Sequence, residues 1–157
     1  MASSAGICYN FKHEVMRGEH QLGTVLNFVS RTSLTAPTTD VIKAALYLAA
    51  GTTGPATAIY TTLNEASGTN YPPGGIAVTN ANPPALSNTS YGAWTPSGPL
   101  SYPNITVGSI DSVLIYNSTQ TNKSIEVCTF TAQSVSAATF TLTMPSGTAP
   151  TALINLS

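Results

Sequence analysis

Charge is what this sequence has least of. Five of its 157 residues are Lys or Arg and six are Asp or Glu, 7 % of the chain, against roughly 25 % in an ordinary soluble domain. A net charge of -1 leaves no basic footprint for nucleic acid and no polybasic face for an anionic membrane. Acid–base chemistry needs titratable side chains gathered in one pocket, and beyond Glu65 the chain carries only Asp111, Lys123 and Glu126. Cysteine is also scarce. Cys8 and Cys128 lie far apart with no C-x-x-C spacing for a metal. Spacing alone leaves their pairing open, and two free buried thiols are expected. No apolar run reaches the roughly 18 residues of a membrane helix; residues 41–50 are fewer and include Lys43. No basic start leads into an apolar run at the N-terminus, so synthesis and folding in a cytoplasm are expected.

What is present is an apolar fraction of 42 %, enough for the core of a single domain. Polarity is supplied by Thr, Ser and Asn, which suit strands and turns better than helices. Free soluble domains use mixed charge to keep apart. A nearly neutral Thr/Ser/Ala surface tolerates close neighbours, as in an oligomer or lattice. Five Asn-x-Ser/Thr triplets, at Asn88, Asn104, Asn117, Asn122 and Asn155, are expected by chance in such a composition.

Alternation with a period of two runs through the second half. Phe140, Leu142 and Met144 point one way and Thr139, Thr141 and Thr143 the other, a strand with a threonine face. Residues 112–117 and 124–131 are two more strands, joined by a polar loop at 118–123 with the length of a hairpin turn. Residues 152–156 close an antiparallel meander. In the first half, strands are expected at 24–29, 41–48, 57–61 and 75–79, although 41–48 also suits a helix. Tyr71-Pro-Pro-Gly-Gly75, Asn82-Pro-Pro84 and Thr95-Pro-Ser-Gly-Pro99 break the ladder. The pattern predicts an all-β fold, an antiparallel β-sandwich or jelly roll at 23–157. An extended N-terminal arm at 1–22 is expected to dock, since Ile7, Tyr9 and Phe11 alternate.

Few residues offer chemistry. His13-Glu-Val-Met-Arg17 begins like the zinc motif H-E-x-x-H but has Arg17 in the second ligand position. His20 lies too far along for one ion. The bland reading is a salt-bridged segment of Lys12, Glu14, Arg17 and Glu19. No G-x-S-x-G elbow exposes a serine, no local signature pairs two carboxylates, and Gly74-Gly75 opens no phosphate loop. No cofactor, no metal and no enzymatic activity are expected. The tyrosines and Trp94 invite a sugar-stacking hypothesis, but most fall within strand patterns where packing is the default. Trp94 and Tyr102 flank the Pro-rich loop and are the candidates for an exposed aromatic patch.

The segment Phe11-Lys-His-Glu-Val-Met-Arg-Gly-Glu-His20, with Gly23, resembles the opening of a group of small phage virion proteins. The likeness continues at Lys43-Ala-Ala-Leu-Tyr47, at Asn64-Glu-Ala-Ser-Gly-Thr-Asn-Tyr71 with Gly74-Gly75, and at Leu114-Ile-Tyr-Asn-Ser118 before Asn122-Lys123. The resemblance implies a virion structural protein of the capsid cement or decoration type, often a jelly roll, with no catalytic residues. The segments 24–37 and 83–103 depart from that group. The expectation is a non-enzymatic subunit on the capsid surface, contacting the major capsid protein and its own copies as a dimer or trimer. Phe11, Lys12, His13, Glu14, Arg17, Glu19 and His20 would make the docking contact. The alternatives are a tail or fibre component binding a host-surface glycan through Trp94 and Tyr102, and a polysaccharide-cleaving virion enzyme.

Overall fold

β-Branched and aromatic side chains alternating with Thr and Ser form one dominant hairpin, and the other strands attach to it. A computed structural model describes residues 3–16, 20, 22, 39–79, 84–87, 91–146 and 151–156. Its elements are β1 (Gly6–Ile7), α1 (Tyr9–Met16), β2 (Ile42–Leu48), β3 (Gly68–Thr69), β4 (Ile76–Ala77), β5 (Ala85–Ser87), β6 (Tyr91–Trp94), β7 (Leu100–Asn117), β8 (Lys123–Leu142) and β9 (Ile154–Leu156). Six strands make one sheet in the order β1-β8-β7-β2-β4, with β3 also paired to β7; β5, β6 and β9 make a second. All pairings are antiparallel. Side chains from both sheets, such as Leu114 and Ile154, share one hydrophobic core. The fold is all-β and of the sandwich type.

The β7–β8 ladder runs from Leu100↔Leu142 to Asn117↔Lys123. Its half next to the turn is central. Val113, Leu114, Ile115 and Tyr116 are buried in succession, as expected for a strand covered on both faces. In its other half both strands emerge into solvent, and residues 131–134 are all exposed. The expected strands at 124–131 and 138–144 are therefore one strand, and the strand at 112–117 reaches back to Leu100 through Pro103. Pro103 is tolerated because it falls at a bulge. The register shifts between Tyr102 and Ile105, and Asn104 takes φ 49 there.

The hairpin loop lies where expected. Thr121 and Asn122 adopt φ 52 and φ 60, a conformation Asn tolerates better than most residues. β2 is a strand, not a helix. The expected strand at 57–61 is reduced to one bridge, Ile59↔Lys123, and that at 75–79 to β4. Gly75 (φ 71) lies against β2 so closely that a Cβ would fall 1.7 Å from the Ala44 carbonyl oxygen, so only glycine fits. The expected strand at 24–29 lies outside the described residues.

The N-terminal segment is not an extended arm. Among the described residues β1 is the extended part, and residues 9–16 form a helix. Phe11, Glu14 and Val15 recur at helical spacing and face the core. The brief alternation of Ile7, Tyr9 and Phe11 spans the junction of two elements. Tyr9 is instead one of the most exposed large apolar residues, at 64 %.

Candidate functional site

A chain of polar side chains joins α1 to the β7–β8 turn. Asn117, fully buried at the end of β7, accepts the backbone N–H groups of Thr119 and Gln120 at its Oδ1, each at 3.1 Å. Those two bonds form the turn and fix the orientation of the amide. Its Nδ2 donates to Asp40 Oδ2 at 2.6 Å and faces His20 Nδ1 at 3.1 Å. An amide nitrogen only donates, so His20 Nδ1 accepts and the ring proton belongs on Nε2. That nitrogen lies 2.9 Å from Glu14 Oε2. Lys123 at the start of β8 sits 3.4 Å from the other Glu14 oxygen, and Gln120 Nε2 donates to Asp40 Oδ1 at 3.2 Å. Phe11 meets the His20 ring edge-on, with centroids 4.8 Å apart.

This arrangement fastens the helix and leaves no opening for proton relay. A Ser-His-Asp relay needs one imidazole nitrogen facing a nucleophile, and in His20 both are committed to Glu14 and Asn117. Buried carboxylates are costly without partners, and Glu14 and Asp40 each have theirs.

A second node holds the 57–75 segment to the sheet. Glu65 accepts from the Tyr60 hydroxyl at 2.6 Å, the Tyr71 hydroxyl at 3.1 Å and the Gly74 backbone N–H at 2.7 Å. Tyr71 in turn accepts the Leu46 N–H at 2.9 Å, and Tyr116 donates to the Gly74 carbonyl at 2.7 Å. Tyr60 stacks on Tyr116 with centroids 4.6 Å apart. Burial first and the Glu65 charge second push the Tyr71 and Tyr102 hydroxyls upward, and Tyr116 to about 12. All three therefore remain neutral donors at ordinary pH.

The residues expected to form an outward docking contact are thus divided. Phe11, Glu14 and His20 come together, but they face inward: Phe11 is fully buried, Glu14 is 5 % exposed and the His20 side chain is shielded. Phe11 and Glu14 face the chain's own sheet because helical spacing turns them toward it, and His20 is held there by Glu14 and Asn117. Lys12 and His13 lie on α1, and Arg17 and Glu19 lie outside the described residues. Trp94 and Tyr102 are not an exposed patch. They are 2 % and 0 % exposed, with Trp94 Nε1 donating to the Leu22 carbonyl at 3.0 Å and the Tyr102 hydroxyl to the Ala44 carbonyl at 2.8 Å. The Pro-rich loop borders an open cleft of about 460 Å³, lined by Thr95, Pro96, Thr141 and Met144 among others, without an aromatic ring.

The partner that sequence reasoning missed is Asn117, which joins His20 to Asp40. Asn117 stood out as the end of a strand and the start of a glycosylation triplet, and its burial removes it from modification. Cys8 and Cys128 are free thiols. The Cys8 N–H bonds the Ile125 carbonyl at 2.9 Å, which places Cys8 three residues along β8 from Cys128, a poor register for a disulfide. Among the described residues no group of His, Cys, Asp or Glu could hold a metal ion, and no described helix is long and apolar enough to cross a membrane. No protein-family model, curated protein or solved structure matches the chain.

Removing the Asn117 amide strips two turn N–H groups, His20 and Asp40 of a partner. Asn117→Ala is expected to lower unfolding free energy by about 2–3 kcal/mol in urea titrations. Thr119→Ala, losing only an exposed bond to Val41 N–H, should cost well under about 1 kcal/mol. Glu126 supplies a pH test. Burial pushes its carboxyl up to about 8, and its Oε2 has no hydrogen-bond partner. The native state then keeps a proton that the unfolded chain loses near pH 4.3. The stability this proton contributes is present in full below about pH 4.3 and is lost as pH rises towards about 8. Glu126→Gln should be more stable than wild type at pH 8, with the gap closing towards pH 4 in the same titrations.

Proposed function

We propose that this chain is a non-enzymatic structural protein of a phage virion, a capsid cement (decoration) subunit. It would stabilise the shell by contacts with the major capsid protein and with neighbouring copies. The observation that carries this reading is the surface of the outer half of β8. Thr129, Thr131, Ser134, Ser136, Thr139 and Thr141 are exposed there, and no charged residue follows Glu126. Such a surface lacks the repulsion that keeps free domains apart. The block resemblance at residues 11–20, 43–47, 64–75 and 114–123 supports the virion placement.

The internal fastening of Phe11, Glu14 and His20 changes which residues would touch the shell. α1 would dock as a formed helix presenting Tyr9, not as an extended arm presenting Phe11. A preformed helix has less conformational entropy to lose on binding than a free arm. Several weak contacts repeated over a shell would then add through multivalency.

The test is to mix the purified chain with undecorated heads of the same phage. The expected outcome is saturable binding at symmetry-related positions and a higher temperature of shell rupture, both weakened by Tyr9→Ala. Absence of co-sedimentation with heads would overturn the cement reading, and binding to host cells in its place would favour the tail alternative.

A further inference from the structure

We propose that residues 129–136, on the outer edge of β8, pair antiparallel with the same segment of a second copy about a two-fold axis, joining two six-stranded sheets into one. This deepens the self-assembly part of the reading above and rests on that part alone, not on placement in a virion.

The outer edge of β8 is covered in succession from the turn. Residues 58–60 come first, with Ser124 N–H donating to the Ala58 carbonyl at 3.0 Å and Tyr60 N–H to the Asn122 carbonyl at 2.8 Å. β1 follows, with Ile7 opposite Glu126 and Gly6 opposite Val127. Beyond Val127 no described strand pairs with this edge. The edge thus already accepts strand addition along its first part, and beyond it stands open among the described residues. An open edge offers a row of unpaired N–H and C=O groups, and stable monomers guard such rows with Lys, Pro or inward charge. Here there is no guard: residues 127–144 contain no charged residue and no proline. Residues 131–134 are all exposed, while Phe130 and Val135 on either side of them pack against the core.

The same features select a second copy as the occupant. Antiparallel self-pairing about a two-fold axis is an isologous contact, in which residue i of one copy meets residue j of the other and j meets i. With the axis between Ala132 and Gln133, Thr129 lies opposite Ser136, Phe130 opposite Val135, Thr131 opposite Ser134 and Ala132 opposite Gln133, uncharged pairs that hydrogen-bond or pack. A net charge of -1 adds little repulsion between whole copies. The pairing ends at Ser136, because Ala137 takes φ 45 and turns its N–H to Thr106 Oγ1 at 2.9 Å, which bends the strand out of line.

Sedimentation equilibrium of the full chain through the micromolar range tests this. Wild type should be a dimer. Ser134→Lys and Thr131→Lys, at exposed positions, should each weaken association about tenfold or more while leaving the circular-dichroism melt of the monomer unchanged. Ala77→Lys, exposed on β4 at the opposite edge of the sheet, should leave the dimer intact. A monomeric wild type, a ring of three or more copies, or a dimer indifferent to both β8 lysines would overturn the proposal. Failure to bind phage heads would leave this result standing, so the two readings fail separately.

Discussion

Pairing of β7 with β8 next to their turn sets the position of nearly everything else. From Val113↔Cys128 to Asn117↔Lys123 the ladder is the centre of the large sheet. β2 is laid against β7 and β1 against β8. At the turn itself the Asn117 amide binds two backbone N–H groups and thereby aims its nitrogen at His20 and Asp40. The turn, the helix and the strand entering at Asp40 are therefore held by one side chain. A buried amide with every polar atom engaged specifies a unique arrangement, because any other leaves a donor unpaired.

Scarce charge is spent inside the molecule. Glu14 meets His20 and Lys123, Asp40 meets Asn117 and Gln120, and Glu65 meets two phenols and an amide. Asp111 is buried and accepts the Ser112 hydroxyl at 2.9 Å. Glu14 through Lys123, and Asp40 through Asn117 and Gln120, close contacts between segments distant in sequence, where low dielectric makes a satisfied hydrogen bond strong and an unsatisfied one costly. Glu126 is the exception, and burial without a partner at Oε2 raises its pKa. The surface that remains is largely Thr, Ser and Ala. The uneven charge and the assembly-prone edge are two consequences of the same composition.

Much of the fold was legible because period-two alternation and turn chemistry are local signals. The hairpin loop at 118–123, β2, and the strands within 112–144 follow from them. Other features were not legible because they depend on partners remote in sequence. The strand expected at 112–117 runs back to Leu100 because a bulge absorbs Pro103. Residues 57–61 have strand composition, but among the described residues their ladder pairing is a single bridge, Ile59↔Lys123. Phe11 looked like an anchor for another protein, and its helical spacing with Glu14 and Val15 turned it onto the chain's own sheet. Trp94 and Tyr102 looked exposed beside prolines, yet both ring systems found carbonyl acceptors in the interior. Of the polar node, sequence singled out Glu14 and His20. Asn117 and Asp40 carry no local mark, since their roles arise only when the end of β7 meets the strand entering β2.

Native-state hydrogen exchange followed residue by residue tests the central claim most directly. If the turn-proximal ladder organises the molecule, amides of 113–116 and 125–127 should exchange only through global unfolding, with protection equal to the full unfolding free energy. Amides of α1 should open at lower free energy, without disturbing that ladder. Exchange of 113–116 at rates typical of exposed loops, or α1 outlasting the ladder, would contradict the account.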